Sequence, residues 1–144
     1  YVPLGAMIVR GEIVDQVRGR FFPGGLTYAG HPLACASAVA SIEAFQEEGV
    51  VDNAAEVGAY LGESLRALAD RHPSIGDVRG LGCFWGAELP VARVAKAALE
   101  QGLYLMTHWN VVMVVPPLTI TRDEVDSGVA ILDEALAIAD EYVS

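Results

Sequence analysis

Val57, Leu61, Leu65 and Leu68 recur at helical spacing and stop at His72-Pro73. That pattern commits the middle of the chain to an amphipathic helix whose single apolar face must be covered by other elements. A residue before proline is pushed out of helical geometry, so the helix is expected to stop at His72-Pro73. Its start is expected near Asp52 or Asn53, because Asn53 with Glu56 three residues on has capping-box spacing, with Asn in place of Ser or Thr.

The remaining elements follow from the same signals. Ala6 to Arg10 (AMIVR) is a β-rich run between Gly5 and Gly11 and reads as a strand turning into a short helix, Glu12 to Val17. Gly19 to Gly30 is a loop rich in glycine and aromatics. Pro32 then opens a helix, where its missing N–H costs nothing, that runs to about Glu48 and ends at Gly49. Its first half, ACASAVAS, is nearly all small, so another element is expected to approach its backbone closely. Val78 to Leu89 reads as a glycine-punctuated pair of strands with a bend, and Val91 to Gln101 as a helix capped by Gly102. Leu103 to Met106 and Val111 to Val115 are strand candidates, the second ended by Pro116-Pro117. The last helix is expected over Thr121 to Tyr142, with a Thr121/Glu124 capping box and Val125, Val129, Leu132, Leu136 and Ile138 facing the core. The second half mixes strands and helices as an α+β unit does, while the first half reads as the edge of something larger.

Composition excludes several function classes. The 144 residues, 53% hydrophobic and 19% charged, describe a soluble globular chain of one domain or a little more. Every apolar segment is interrupted by Gly, Pro or charge short of the roughly 20 residues a bilayer span needs. No secretory leader opens the chain, and its first residues, Tyr-Val-Pro-Leu-Gly, read as the interior of a longer protein. A formal net charge of −10 speaks against nucleic acid and anionic membranes, both of which need clustered cations. Cys35 and Cys83 both lie in apolar stretches and are expected as buried free thiols in a reducing cytoplasm.

The strongest chemical signal is Gly24-Gly25-Leu26-Thr27-Tyr28-Ala29-Gly30-His31-Pro32. Glycines let a backbone approach an anion, a threonine hydroxyl can donate to it, and a helix N-terminus lies just beyond. On physics alone an ordinary structural loop explains the segment as well. His31 and Cys35 have i, i+4 spacing, but no second metal-spaced pair exists and His72 and His108 stand apart, so a packed histidine is the better reading and no metal is expected. No nucleophile elbow accompanies the Ser, His and Asp residues. Glu47-Glu48 and Asp123-Glu124 read as helix-end charges, the latter suited to a helix N-terminus. Lys96 is the only lysine. It falls off the stripe Val91, Val94, Ala95, Ala98 and Leu99 toward solvent and is not expected to act as a nucleophile.

Four segments together carry a family likeness. Phe22 to Ala36 (FPGGLTYAGHPLACA), Tyr1 to Val9, Val78 to Leu89 (VRGLGCFWGAEL), and Val114 to Ile120 (VVPPLTI) with Thr121 to Glu124 resemble, in order, segments of class III pyridoxal-phosphate-dependent aminotransferases of the ω-amino acid type. The resemblance implies an α/β, fold-type-I transferase, with the end of the large domain followed by an α+β C-terminal small domain. Residues 1–48 would be the end of the large cofactor-binding domain with the inter-domain helix, and 49–144 the small domain.

It further implies a cytoplasmic homodimer with active sites at the subunit interface, using pyridoxal 5'-phosphate to move an amino group from an amine or ω-amino acid to a 2-oxo acid. Thr27 and the backbone N–H of Leu26 would bind the cofactor phosphate of the neighbouring subunit. The lysine that forms the Schiff base would lie a few residues before Tyr1, so no catalytic residue is assigned within the chain, and the chain alone is expected to be inactive. Two further departures stand out. Glu88-Leu89-Pro90 passes almost at once into a helix where many members have a longer loop, and THWNVVMVV lacks the arginine that several members place there to bind a carboxylate. His108, Trp109 and Asn110 line the pocket entrance or simply pack. Two rival readings are a same-fold aminomutase or decarboxylating aminotransferase, and a non-catalytic folded or dimer-forming fragment.

Overall fold

The computed structural model describes residues 2–21, 23–89, 93–141 and 143. The chain divides into two compact units, Tyr1–Glu47 and Glu48–Ser144.

The first unit contains α1 (Gly11–Val17) and α2 (Pro32–Glu47) joined by the glycine-rich loop. The strand expected over Ala6 to Arg10 does not form. Met7 and Ile8 are exposed, and a strand is held by ladder hydrogen bonds that no described segment supplies to this one. Of the described residues in this unit only Ala34 is buried, in the small-residue half of α2, where Val2 and Leu4 share a shallow pocket with it. Phe21, Leu26, Leu33, Val39 and Ile42 all face outward. Cys35 is exposed rather than buried as expected, on a helix whose only buried described residue is Ala34.

The second unit has a core of its own. It runs α3 (Val50–Arg71), β1 (Val78–Leu81), β2 (Phe84–Glu88), α4 (Arg93–Glu100), β3 (Met106–His108), β4 (Val111–Val114) and α5 (Arg122–Asp140). The strands form one antiparallel sheet in the order β1-β2-β4-β3, with Trp85 opposite Val114 and Ala87 opposite Val112. Strand periodicity sends Trp85 and Ala87 into the core and leaves Phe84 exposed. Val57, Leu61, Leu65 and Leu68 of α3 are buried with Val94 and Ala98 of α4, and with Val125, Leu132 and Leu136 of α5. No described helix is long and apolar enough to cross a membrane.

Several boundaries differ from expectation for physical reasons. Helix α3 begins at Val50, not at Asp52 or Asn53, after Gly49 turns the chain with φ of 59°. Asn53 therefore sits inside the first turn and its side chain is free for tertiary work. Strand β3 starts at Met106, because the backbone of Leu103 is still engaged in closing α4 through a 2.9 Å bond to the Ala98 carbonyl. Gly102 makes that closure possible with φ of 94°. Leu99 and Ile138 are exposed, off the buried stripes where they were expected, and Ala135 and Ala139 complete the α5 stripe instead. Val91, at the start of the α4 stripe, lies outside the described residues.

Candidate functional site

The loop before α2 is folded as a tight turn. The Leu26 carbonyl accepts from Ala29 N–H at 3.0 Å, which sets Thr27 and Tyr28 at the tip. His31 N–H then donates to the Tyr28 carbonyl at 3.2 Å, and Cys35 N–H to the His31 carbonyl at 2.9 Å, which starts the helix. Gly30 takes φ of 69°, a value a side chain would resist, and so lets the chain swing from the turn into Pro32. The Tyr28 and His31 rings stack with centroids 5.6 Å apart, which gives the histidine a packing role.

What the turn presents is a set of donors. Leu26 and Thr27 are exposed, and among the described residues no hydrogen bond engages the Thr27 hydroxyl or the backbone N–H groups of Leu26 and Thr27. Open space surrounds the position where a side chain would stand at Gly25. The first turn of α2 carries no acidic residue that would repel an anion. A hydroxyl and two amides with an open glycine beside them suit a phosphate group in donor chemistry and in access.

The other sequence candidates fall elsewhere. Lys96 stands in solvent with its side chain 82% exposed, 3.9 Å from Glu100 one turn along the helix. His108 and Trp109 stack at the β3–β4 turn with centroids 5.5 Å apart. Trp109 takes φ of 56° there, as the first central position of a II′-type hairpin turn requires, and is 87% exposed. Asp123 and Glu124 occupy the first turn of α5, and Glu124 closes the capping box with Thr121. Cys83 is buried, and its burial pushes the thiol up, away from the reactive thiolate.

Two polar clusters were not foreseen. Arg79 on β1 is held between Asp77 and Glu88, the latter at 2.6 Å, so it is a neutralised cation on the sheet. Those hydrogen bonds, Asp77 first, raise its pKa further. His72, expected to stand apart, is 8% exposed and lies between two carboxylates of α5, Asp133 and Asp140. Asp133 and Asp140 are seven residues apart and so share a helix face, which is a readable signal. That His72 would meet this face depends on how α3 and α5 pack, which no local pattern states.

The aminotransferase class-III family model matches residues 2–136. The chain is 38% identical to the 5-aminovalerate aminotransferase DavT of Pseudomonas putida, in an alignment covering 94% of this chain and 35% of that protein. Against acetylornithine aminotransferase 1 of Bordetella bronchiseptica the identity is 42%, over 91% of this chain and 34% of that protein. An amine transaminase from an uncultivated Pseudomonas species, solved in its PLP-bound form, matches with a TM-score of 0.82 and 34% identity, over 90% of this chain and 34% of that one. With that family match over nearly its whole length, the chain belongs to the class-III aminotransferases. Its architecture is that of the fold-type-I pyridoxal-phosphate-dependent transferases. It spans about a third of the length of these relatives.

Proposed function

We propose that this chain is the C-terminal portion of a pyridoxal-phosphate-dependent aminotransferase that moves an amino group from an amine or ω-amino acid to a 2-oxo acid. The observation that carries the reading is the turn at Leu26–Ala29, where the Thr27 hydroxyl and the backbone N–H groups of Leu26 and Thr27 have no partner among the described residues.

In this reading residues 1–48 end the large cofactor-binding domain and include the inter-domain helix, and residues 49–144 are the small domain. The scarcity of burial in 1–47 supports it, since a segment whose described residues bury only Ala34 has little core to stand on and calls for cover from more of the same protein. The protein works as a cytoplasmic homodimer with its active site at the subunit interface. The cofactor supplies the electron sink for proton removal at the amine-bearing carbon. Thr27 Oγ1 and the N–H of Leu26 would hold its phosphate from the neighbouring subunit. The tight turn matters because its Leu26 carbonyl to Ala29 N–H bond fixes the loop while leaving the Leu26 and Thr27 amides without a partner among the described residues, so little reorganisation is needed when the anion arrives. The lysine that performs the covalent chemistry lies upstream, and Lys96 takes no part.

The test uses the complete dimeric enzyme. Thr27→Ala removes one hydrogen bond to a charged group, worth about 1.5–3 kcal/mol, so cofactor affinity should fall by roughly 10- to 100-fold. Unchanged affinity would remove Thr27 from the phosphate site. Absence of amino transfer to pyruvate or another 2-oxo acid with every amine donor tried would sink the aminotransferase reading in favour of a mutase or a non-catalytic role.

A further inference from the structure

His72 ends α3, where its backbone N–H closes the helix on the Leu68 carbonyl and its own carbonyl accepts from Ile75. Its ring is enclosed by α5. Nδ1 lies 2.7 Å from Oδ2 of Asp140, and Nε2 lies 2.5 Å from Oδ1 of Asp133. Each carboxylate has a second holder. Arg71 reaches the other oxygen of Asp133 at 3.0 Å, and the Ser74 N–H donates to the other oxygen of Asp140 at 3.2 Å. Among the described residues, the two aspartates are the ring's charged partners, and Arg71 and Ser74 hold those aspartates.

An ionised carboxylate only accepts hydrogen bonds, and a neutral imidazole has one donor and one acceptor nitrogen. Two carboxylates, one on each nitrogen, are therefore satisfied only by the doubly protonated ring. In the neutral ring one nitrogen lone pair would face a carboxylate oxygen at under 3 Å, and that contact has to open. Asp133 keeps Arg71 as an independent counter-charge. Asp140 keeps Ser74 but has no counter-charge besides His72 among its described partners, so it is the partner that leaves.

We propose that His72, Asp133 and Asp140 form a proton-dependent latch that fastens the last turn of α5 to the 72–76 connection leading into β1, and that loss of the ring proton releases it at Asp140. The electrostatics agree in direction. Burial works against the charged ring, but the hydrogen bonds to Asp133 and Asp140 outweigh it and raise the His72 pKa. Both aspartates are lowered, Asp133 chiefly by His72, and Asp140 by its hydrogen bonds to Ser74 and His72 against the opposing effect of burial. A raised folded pKa stabilises fully below the ordinary histidine value and is lost as pH rises through the folded one. The lowered aspartates set the acid limit, losing their contribution as pH falls below the ordinary carboxylate range.

The experiment follows deuterium uptake of the intact protein by mass spectrometry. The exchange of the His72 ring carbon hydrogen reports its titration, and backbone amides 136–140 report the latch. Expected are a His72 midpoint above about 6.5 and protection of 136–140 that falls by up to about tenfold per pH unit between about 6.5 and that midpoint and levels off above it, with β2 and β4 unchanged. Asp140→Asn gives the neutral ring a partner able to donate, so its His72 midpoint should drop and the pH response of 136–140 should flatten. A ring already neutral at pH 6, or an unaltered response in Asp140→Asn, overturns the latch. The wild-type titration decides the point even if the variant folds poorly.

Discussion

The side-chain amide of Asn53 donates to the carbonyl of Leu118 at 2.7 Å and to that of Ile120 at 3.0 Å. One residue in the first turn of α3 thus holds the segment that follows Pro116-Pro117 and leads into α5. Prolines leave such a segment without regular pairing, and its carbonyls need donors from elsewhere. The relationship explains why asparagine stands at a position whose spacing with Glu56 imitates a capping box. The amide is used across 65 residues of sequence, not along its own helix.

Replacing Asn53 separates its donor chemistry from its size. Asn53→Ala leaves two carbonyls without their donor and should cost about 1–3 kcal/mol in chemical unfolding. Asn53→Asp keeps the shape but turns an acceptor toward two acceptors, so at neutral pH it should cost more than alanine and recover part of the loss when the carboxyl is protonated. Equal costs for the two variants at neutral pH would mean that the side chain only fills space.

Gly58 and Gly62 lie one turn apart on α3, and neither tolerates a side chain. A methyl group at Gly58 would overlap the Gly82 backbone in the β1–β2 turn, and one at Gly62 would overlap the Trp85 ring. Glycine within a helix costs about 1 kcal/mol relative to alanine, so its presence twice here reflects that contact. Trp85 is fixed there by a 2.7 Å bond from Nε1 to the Gly82 carbonyl and by Arg66 stacked 4.8 Å from the ring. Gly62→Ala should therefore destabilise by about 1–3 kcal/mol despite its better helix propensity, read as a lower unfolding midpoint. A stabilised variant would show that the helix can move off the sheet at no cost.

These contacts mark what the sequence could and could not show. The apolar stripe of α3, the strand pair around Gly82, the turn at Gly102 and the capping box of α5 are local patterns, and each forms where its residues predict. The turn at Thr27 was readable because glycines, a hydroxyl and a following proline lie together in a few residues. Most of the failures are matters of partners. Ala6 to Arg10 has strand composition without a strand to pair with, and Cys35 is exposed on a helix whose only buried described residue is Ala34. Asn53 and His72 find their hydrogen bonds on the distant α5 and the segment before it. Apolar residues such as Ile138 depend on the exact rotation of a helix, and two positions past Leu136 is already the opposite side.

The α5 capping box makes a prediction about acid. Thr121 N–H donates to the Glu124 carboxylate at 2.9 Å, and Glu124 N–H to the Thr121 hydroxyl at 3.3 Å. The bond from the Thr121 backbone, followed by that from its hydroxyl, holds the Glu124 carboxyl below the usual glutamate range. A depressed folded pKa stabilises above the unfolded value and is lost as pH falls through the folded one. Thr121→Ala should cost about 1 kcal/mol at neutral pH. That cost should shrink at a pH below the glutamate range, where half of the box is already broken in the parent. Thermal midpoints of parent and variant at both pH values test this, and a cost that stays constant would leave Glu124 outside the cap.

Lys96 is the residue most easily mistaken for chemistry, since it is the chain's only primary amine on a side chain. An activated lysine is made by a desolvated pocket or a neighbouring cation. Lys96 lies in no such pocket: its side chain is 82% exposed and it faces the carboxylate of Glu100. At that exposure and a separation of 3.9 Å the pair contributes between nothing and about 1 kcal/mol. Lys96→Gln should leave stability within about 0.5 kcal/mol and leave the pyridoxal phosphate affinity of the complete enzyme unchanged, in contrast to Thr27→Ala. Loss of cofactor absorbance in the Lys96 variant, with folding intact by circular dichroism, would move the reactive amine into this chain and overturn the proposed reading in which Lys96 takes no part.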